Sequence, residues 1–215
     1  MSDSAESMTR TLTHKMTHKG EARRQRLLEA ATQSLLAHGY AQTSIQRIVQ
    51  QAGGSAATAY QLFGNKEGLL AAVLQHELDK MQATVFPDAL PEQPVGPALH
   101  DLALRLLNYA IQPKSVALHR LLVAECHRLP QLAASLQQAV DKQIHAPLEQ
   151  CLRQACDRGE LKIDDLRQAA LTLGHLINGT AFEARLYGGY SGSAPASLVA
   201  TCRYGVDMLL RAYAA

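Results

Sequence analysis

Apolar residues recur along this chain at intervals of three and four positions, the spacing that places them on one face of an α-helix. The first such stripe predicts a helix over about residues 21–38, and its members are Leu27, Leu28, Ala31 and Leu35. Gly39 can end this helix, because glycine readily takes the left-handed conformation that follows many helix ends. We find no convincing strand pattern and no internal repeat, so the pattern predicts an all-α fold.

Two short helices and a longer one are predicted next. Thr43 or Ser44 can cap the first of them, and its apolar face holds Ile45, Ile48, Val49 and Ala52. Two glycines at positions 53 and 54 interrupt the pattern. Ser55 can cap the following helix, which ends at Phe63, and Asn65 can cap a helix that runs to about residue 86.

Four prolines between residues 87 and 97 mark the clearest break in the chain. Beyond them the pattern predicts five further helices, the last one reaching about residue 212. Pro147 lies inside the predicted helix over residues 131–157, so a kink or break is expected there. Asp164 and Asp165 can open the helix that ends near Tyr187.

Basic residues concentrate near the N-terminus. Residues 10–66 include eight basic and two acidic side chains, whereas the remainder has thirteen basic and seventeen acidic ones. Such asymmetry is typical of a module that binds a polyanion. A disordered basic tail over residues 1–19 together with solvated helix faces would produce the same charges, so charge alone leaves both interpretations open.

Several classes of protein are disfavoured. No apolar run is long enough to span a membrane, and the polar N-terminal segment lacks the apolar region of a signal peptide, so a cytoplasmic protein is expected. The cysteines form no C-x-x-C pair and the histidines have no ligand spacing, so we expect no metal and no cofactor. The cysteines are interpreted as small hydrophobic residues of helical faces: Cys126, Cys151, Cys156 and Cys202.

The short helix over residues 55–63 carries little bulk on one side. A helical wheel places Ser55, Ala59, Leu62 and Phe63 on the packing side, and Ala57, Thr58, Tyr60 and Gln61 on the outer side. A major groove admits a helix with such a face, since Ala or Thr can contact a thymine methyl group and Gln can pair with adenine. Two short helices joined at a glycine turn, the second presenting this face, form a helix-turn-helix. The alternative is an ordinary helical hairpin with a bland surface.

Lys66 favours the helix-turn-helix over the ordinary helical hairpin. A cation in the first turn of a helix opposes the helix dipole, whereas a bound phosphate at that position would be attracted by the dipole, the free N–H groups and the ammonium. The hydroxyls of Thr43 and Ser44, at another predicted helix start, could hold a second phosphate.

Residues 26–74 resemble the DNA-binding domain of the TetR family of bacterial regulators, in order and without gaps. The matching positions include Gly39-Tyr40, Thr43-Ser44, Ile48, Ala52-Gly53, Ser55, Thr58, Tyr60, Phe63, Lys66-Glu67 and Leu69-Leu70. The chain departs from the family at Gly54, where Val is usual, at Ala59, where Leu is usual, and at Val49, where Ala is usual. The C-terminal part is similar to the AefR-like type, through His119-Arg120, Ala124-Glu125, Leu129-Pro130 and residues 158–161.

The resemblance implies an all-α homodimer of about nine helices per chain. The sequence itself predicts a disordered basic tail over residues 1–19. The resemblance implies a helix-turn-helix DNA-binding domain over residues 20–66 and a ligand-binding and dimerisation domain over residues 67–215. Its DNA partner would be a double-stranded, palindromic operator, and the last two helices would form the dimer surface. The implied DNA-contacting residues are Thr43, Ser44, Gln46, Ala56, Ala57, Thr58, Tyr60, Gln61 and Lys66.

An effector pocket is expected between the helices of the C-terminal part. Its candidate lining residues are Leu102, Leu106, Tyr109, Leu122, Cys126, Leu152, His175 and Phe182. The effector is expected to be small and apolar or aromatic, with one or two polar groups. Its binding would release a repressor from DNA, with the helix over residues 66–86 as the lever.

Two other functions stay open. A helical bundle could serve as an enzyme or carrier, although the chain has no P-loop, no nucleophile elbow and no H-E-x-x-H motif, so we expect no enzyme. An architectural DNA-binding protein without an effector is the other alternative, and it would need no cavity.

Overall fold

The computed structural model describes residues 18–86, 93–187 and 194–215. Within these ranges the only β feature is an isolated bridge between Leu161 and Ala214, and the predicted all-α class is confirmed. The helices are α1 (His18–Gln42), α2 (Ile45–Ala52), α3 (Ala56–Phe63), α4 (Lys66–Val85), α5 (Val95–Ala110), α6 (Pro113–Glu125), α7 (Pro130–Val140), a π-turn (Asp141–His145), α8 (Ala146–Asp157), α9 (Leu166–Tyr187) and α10 (Ala196–Ala212). The predicted disordered tail lies outside the described residues up to position 17, and residues 18 and 19 belong to α1. No helix in the described ranges is long and apolar enough to cross a membrane.

Side-chain caps fix where four helices begin. The Ser44 hydroxyl accepts a hydrogen bond from the Arg47 amide at 3.2 Å, so Ser44 rather than Thr43 caps α2. Ser55 caps α3 in the same way, through the Thr58 amide. Asn65 caps α4 by accepting a hydrogen bond from the Gly68 amide at 2.8 Å. Asp165 caps α9 by accepting one from the Gln168 amide at 2.9 Å. Each cap stabilises its helix by about 1 kcal/mol, and all four helix starts agree with the sequence prediction.

Glycines produce the predicted breaks between the first helices. Gly39 has φ 74° and kinks the chain inside α1, so that the last residues of this helix form a separate turn. Gly53 and Gly54, between α2 and α3, have φ 72° and φ 140°. Side chains strongly disfavour both values. This conformation gives a physical reason for glycine at position 54, where a β-branched residue would be strained.

The buried side chains form two hydrophobic cores. The head core joins α1, α2 and α3 to the first half of α4, and also includes Leu118 of α6 and Leu132 of α7. The body core joins the second half of α4 to α5, α8, α9 and α10. Leu70 in the head core and Val85 in the body core are both fully buried, although they lie on the same helix. α4 is therefore part of both cores.

The break predicted at Pro147 is present as the π-turn that precedes it. Proline has no N–H, so the carbonyl four residues earlier loses its usual helical partner. The chain instead widens, and the Ala146 amide donates to the Asp141 carbonyl five residues away. The π-turn thus contains one residue more than a regular α-helical turn. Its residues Gln143 and His145 are buried.

The Gly53–Gly54 turn allows a test of this backbone. Gly54→Val should lower the free energy of unfolding by about 1–3 kcal/mol, because valine at φ 140° is strained. Urea denaturation at one fixed protein concentration measures the change. Gly96→Ala is the control, since a Cβ there would lie at an ordinary 3.7 Å from Leu210 Cδ1. Unfolding of Gly54→Val and wild type at the same urea concentration would contradict the assigned turn.

Candidate nucleic-acid interface and internal cavity

The third helix presents the two faces that its sequence predicts. Ala59 and Phe63 are 2% and 8% exposed and pack into the head core. On the outer side Tyr60 is 44% exposed, and Ala57 and Gln61 are exposed as well. The remaining two candidates, Ala56 and Thr58, are half-buried at the start of the helix. The outer face of α3 is therefore a shallow surface with one phenol and one amide as its longest groups.

Of the two adjacent hydroxyl residues before α2, one points into the molecule. Thr43 is 3% exposed, and its hydroxyl donates to the Gly39 carbonyl at 2.8 Å and lies 3.3 Å from the Ser34 hydroxyl. This burial does not fit the phosphate contact expected of Thr43. Ser44 is half-buried at the helix start, and Gln46 in the first turn is exposed.

Lys66 has partners within the protein. Its Nζ donates to the Ala41 carbonyl at 3.0 Å and lies 4.4 Å from the centre of the Tyr40 ring. Both contacts are with the end of α1, where helix carbonyls attract a cation. These contacts explain a cation in the first turn of α4 without a phosphate. An ammonium group has three N–H donors, and the bond to Ala41 uses one.

Three exposed cations on α1 and α2 are not among the DNA-contacting residues predicted from the sequence. Arg23 and Arg26 on α1 and Arg47 on α2 are all exposed. Arg47 follows the candidate Gln46 directly and lies in the first turn of the same helix. The charge asymmetry of the sequence was the signal that could have identified it.

A cavity of about 460 Å³ lies between α4, α5, α6, α7, the π-turn and α9. Most of its wall is apolar, including Leu78 and Met81 of α4 and Ile177 of α9. Its polar wall residues are Glu77, Tyr109, Ser115, His119, Gln137, His145 and Asn178. A volume of this size with a few polar groups is typical of a small-molecule site.

Four of the eight predicted pocket residues line this cavity: Leu106, Tyr109, Leu122 and Cys126. The other four do not. Leu102 and Leu152 are buried in the body core, at 4% and 0% exposure. His175 is exposed, and Phe182 is 47% exposed with its ring edge-on to His119 at 6.3 Å. These two were misplaced because α9 turns a different face inward, the face that carries Gly174, Ile177 and Asn178.

Hydrogen bonds and an ion pair join three helices at the α4 wall of the cavity. The Tyr109 hydroxyl of α5 donates to the Glu77 carbonyl of α4 at 3.3 Å. The Glu77 carboxylate lies 2.7 Å from Lys114 Nζ of α6. Burial, followed by the charge of Glu77, raises the pKa of Tyr109, so this phenol stays a hydrogen-bond donor. Glu77 has no signal in the sequence that marks it as a wall residue, because an acidic residue on a helix has the pattern of an ordinary surface charge.

Large apolar side chains are exposed on the last two helices. Phe182 and Tyr187 of α9 are 47% and 81% exposed, and Tyr204 and Met208 of α10 are 61% and 46% exposed. Gly205 is buried between them, and a Cβ there would come within 3.3 Å of Leu176 Cβ, so α9 and α10 are packed closely within the chain. Gly174 has a similar role within the chain, against His145 and Leu148.

The cysteines and histidines assemble no metal site in the part of the chain that the structure describes. All four cysteines are free, and Cys151 and Cys202 are buried. Burial raises the pKa of the Cys151 thiol to about 11, which keeps it protonated and unreactive.

Two family models match the chain. Residues 27–73 match the bacterial regulatory proteins of the tetR family, and residues 97–215 match the C-terminal domain of the AefR-like transcriptional repressors. The HTH-type transcriptional repressor ComR of Escherichia coli strain K12 is 30% identical over 167 residues, which cover 74% of this chain and 77% of ComR.

Solved structures share the fold. A TetR-family transcriptional regulator from Mesorhizobium loti MAFF303099 aligns with a TM-score of 0.77 at 23% identity, over 91% of this chain and 98% of that one. The flavonoid-responsive regulator FrrA aligns with a TM-score of 0.71 at 27% identity, over 90% of this chain and 98% of that one. With a helix-turn-helix head, an AefR-like body and these relatives, the chain belongs to the TetR family of DNA-binding transcriptional regulators.

Proposed function

We propose that this protein is a homodimeric repressor that a small, mostly apolar effector releases from a palindromic operator. The observation that carries the proposal is the cavity of about 460 Å³ whose wall includes α4, the helix shared by both cores. An architectural DNA-binding protein would need no such cavity. Membership in a family of transcriptional regulators supports a regulator rather than an enzyme or carrier.

The proposed DNA surface is the outer face of α3 with the starts of α2 and α4. Ala57, Tyr60 and Gln61 would face the major groove, because they are exposed on the outer side of α3, and the half-buried Ala56 and Thr58 at the start of the helix would lie at the edge of this contact. Ser44, Gln46 and Lys66 would contact phosphates, and we add the exposed Arg47 to this set. Thr43 is left out because its hydroxyl is buried. Residues 20–66 would thus form the DNA-binding domain and residues 67–215 the regulatory one.

A pair of variants tests this surface. Lys66→Ala should weaken binding to every DNA sequence and lower the slope of log K against log salt by about one, since one phosphate contact is lost. Gln61→Ala should instead reduce the preference for the operator over other sequences. Fluorescence anisotropy with operator and random duplexes, at several salt concentrations, measures both.

Two controls belong to that experiment. Gln131→Ala removes an exposed glutamine of α7 and should change neither quantity. The melting temperature of Lys66→Ala must be recorded, because Lys66 also anchors the end of α1. Wild-type binding to random DNA by a folded Lys66→Ala protein would remove Lys66 from the phosphate-binding set.

The proposed dimer surface is formed by α9 and α10. Phe182, Tyr187, Tyr204 and Met208 expose apolar area there. A twofold axis brings the same patch from both copies together, so each apolar residue is buried twice per dimer. Exposed apolar residues grouped on two neighbouring helices are typical of such an interface.

Charged substitutions should abolish the dimer. Tyr204→Arg combined with Met208→Arg would bury four unpaired cations in a symmetric interface, which costs several kcal/mol. Sedimentation equilibrium should then give the mass of one 23.3 kDa chain. Leu36→Arg is the control, since it adds a cation at an exposed apolar residue of α1. If the double variant sediments like wild type, the interface lies elsewhere.

The proposed lever is α4. Leu74 of this helix belongs to the head core and also lines the cavity, and Leu78 and Met81 line the cavity further along. Gln143 of the π-turn donates to Asp79 of α4 at 2.5 Å. An effector that fills the cavity therefore pushes on the helix that fixes the position of the head. The repressor leaves the operator if the two DNA-binding domains of the dimer then no longer match adjacent major grooves.

A bulky side chain in the cavity should act like the effector. Leu78→Trp should lower operator affinity without any ligand, by at least about fivefold if the coupling between sites is of ordinary size. Ala83→Trp adds the same side chain to the exposed face of α4 and should leave affinity unchanged. In wild type, any ligand that raises the melting temperature should also weaken operator binding. A folded Leu78→Trp protein with wild-type affinity would contradict the lever.

A further inference from the structure

We infer that His145 recognises a hydrogen-bond donor on the effector, so that the effector is a neutral, mostly apolar molecule with a hydroxyl or N–H group. This inference rests on the proposed function, because it names the chemistry of the molecule that the cavity would take. Its basis is the geometry of the π-turn, which points a histidine held at one nitrogen toward the cavity.

The π-turn places His145 at the cavity wall. The residue is 6% exposed and lines the cavity, and its ring lies beside Gly174, which lines the cavity as well. Its Nδ1 lies 3.2 Å from Asp141 Oδ1, one turn earlier. The Asp141 carboxylate also accepts a hydrogen bond from Arg167 of α9. The orientation of the ring is therefore fixed by groups outside the cavity.

The contact with Asp141 determines which nitrogen carries the proton. The hydrogen bonds from Arg167 and then His145 hold the pKa of Asp141 below its ordinary value, so this carboxylate stays ionised and can only accept. Nδ1 must then be the donor in that pair. In the neutral imidazole the other nitrogen, Nε2, consequently carries a lone pair and accepts hydrogen bonds.

Gly174 packs beside the Cδ2–Nε2 edge of the ring and, having no side chain, does not cover it. A Cβ at position 174 would lie 3.1 Å from His145 Cδ2 and 3.3 Å from Nε2, so any side chain there would cover this edge. Gly174 lines the same cavity. Because both residues line the cavity, a ligand there would reach the acceptor nitrogen beside this glycine. A buried acceptor of this kind favours a ligand that supplies a donor over one of the same shape that does not.

The rest of the wall defines the remaining chemistry. The ring of His175 lies edge-on to that of His145, with 6.1 Å between their centroids. Most of the cavity wall is apolar, including Val140, Ile144 and Ile177, which favours an apolar ligand body. Among the described wall residues there is no Lys or Arg to pair with a carboxylate ligand, and the one acidic residue, Glu77, is already paired with Lys114, so a buried anionic group on the ligand would stay unpaired. A neutral hydroxyl compound fits both conditions better than a carboxylate does.

Matched probes test the inference on the purified full-length protein. We would measure, by titration calorimetry at one near-neutral pH, the binding of 2-naphthol, 2-methoxynaphthalene and 2-naphthoate, and of 4-hydroxybiphenyl and 4-methoxybiphenyl. Each hydroxyl compound should bind about tenfold more tightly than its methoxy analogue, and more tightly than the carboxylate. In His145→Phe this preference should disappear.

Further variants protect the test against a simple folding defect. Gly174→Ala should reduce the hydroxyl preference by covering Nε2, and Asp141→Asn should reduce it by releasing the tautomer, while His145 itself stays in place. Lys142→Ala changes an exposed side chain of the same turn and should keep the full preference. The ratio of two affinities in one variant is insensitive to a general loss of stability.

Several outcomes would overturn the inference. They are equal affinities for hydroxyl and methoxy compounds, an unchanged preference in folded His145→Phe, tightest binding of 2-naphthoate, or no binding of any probe. Operator binding is measured separately, with and without 2-naphthol. A hydroxyl preference that depends on His145 but has no effect on operator binding would support this inference and contradict the proposed function.

Discussion

The burial of one helix in two separate hydrophobic cores is the constraint on which the rest of the structure depends. The first half of α4 is packed with α1, α2 and α3, and its second half is packed with α5 and the helices behind it. A helix is stiff over this length, because every turn is tied by hydrogen bonds to the next. A displacement at one end is therefore transmitted to the other. The cavity lies beside this helix, near the point where the two cores meet.

The sequence predicted local structure well because its signals are local. The serine, asparagine and aspartate caps and the glycine breaks act within three or four residues, so each can be found without knowing the fold. The same local reasoning did not predict the environment of a side chain whose partner lies further away in the sequence. Thr43 is buried next to Ser34 of α1, and the ammonium of Lys66 donates to the carbonyl of Ala41, which is 25 residues away in the chain.

The cavity could be predicted only in part, for a related reason. Helical periodicity shows that a residue faces the interior, but it does not show whether that interior is solid core or open space. Leu106 and Leu102 lie on the same face of α5, yet only Leu106 reaches the cavity. His145 could not be found from periodicity, because it is the last residue of the π-turn, in which the phase of the helix changes. Pro147 indicated that a break would occur, and the structure shows that the resulting π-turn places His145 at the wall of the cavity.

The turn between α2 and α3 has a consequence for altering the DNA specificity of this protein. Two successive glycines with positive φ give the chain a path there that other residues follow only under strain. The angle at which α3 leaves the turn is thus encoded by the turn as much as by the helix. A recognition helix grafted from a relative with valine at position 54 would keep its side chains but be held at another angle. The unit that can be exchanged between such proteins is the turn together with its helix.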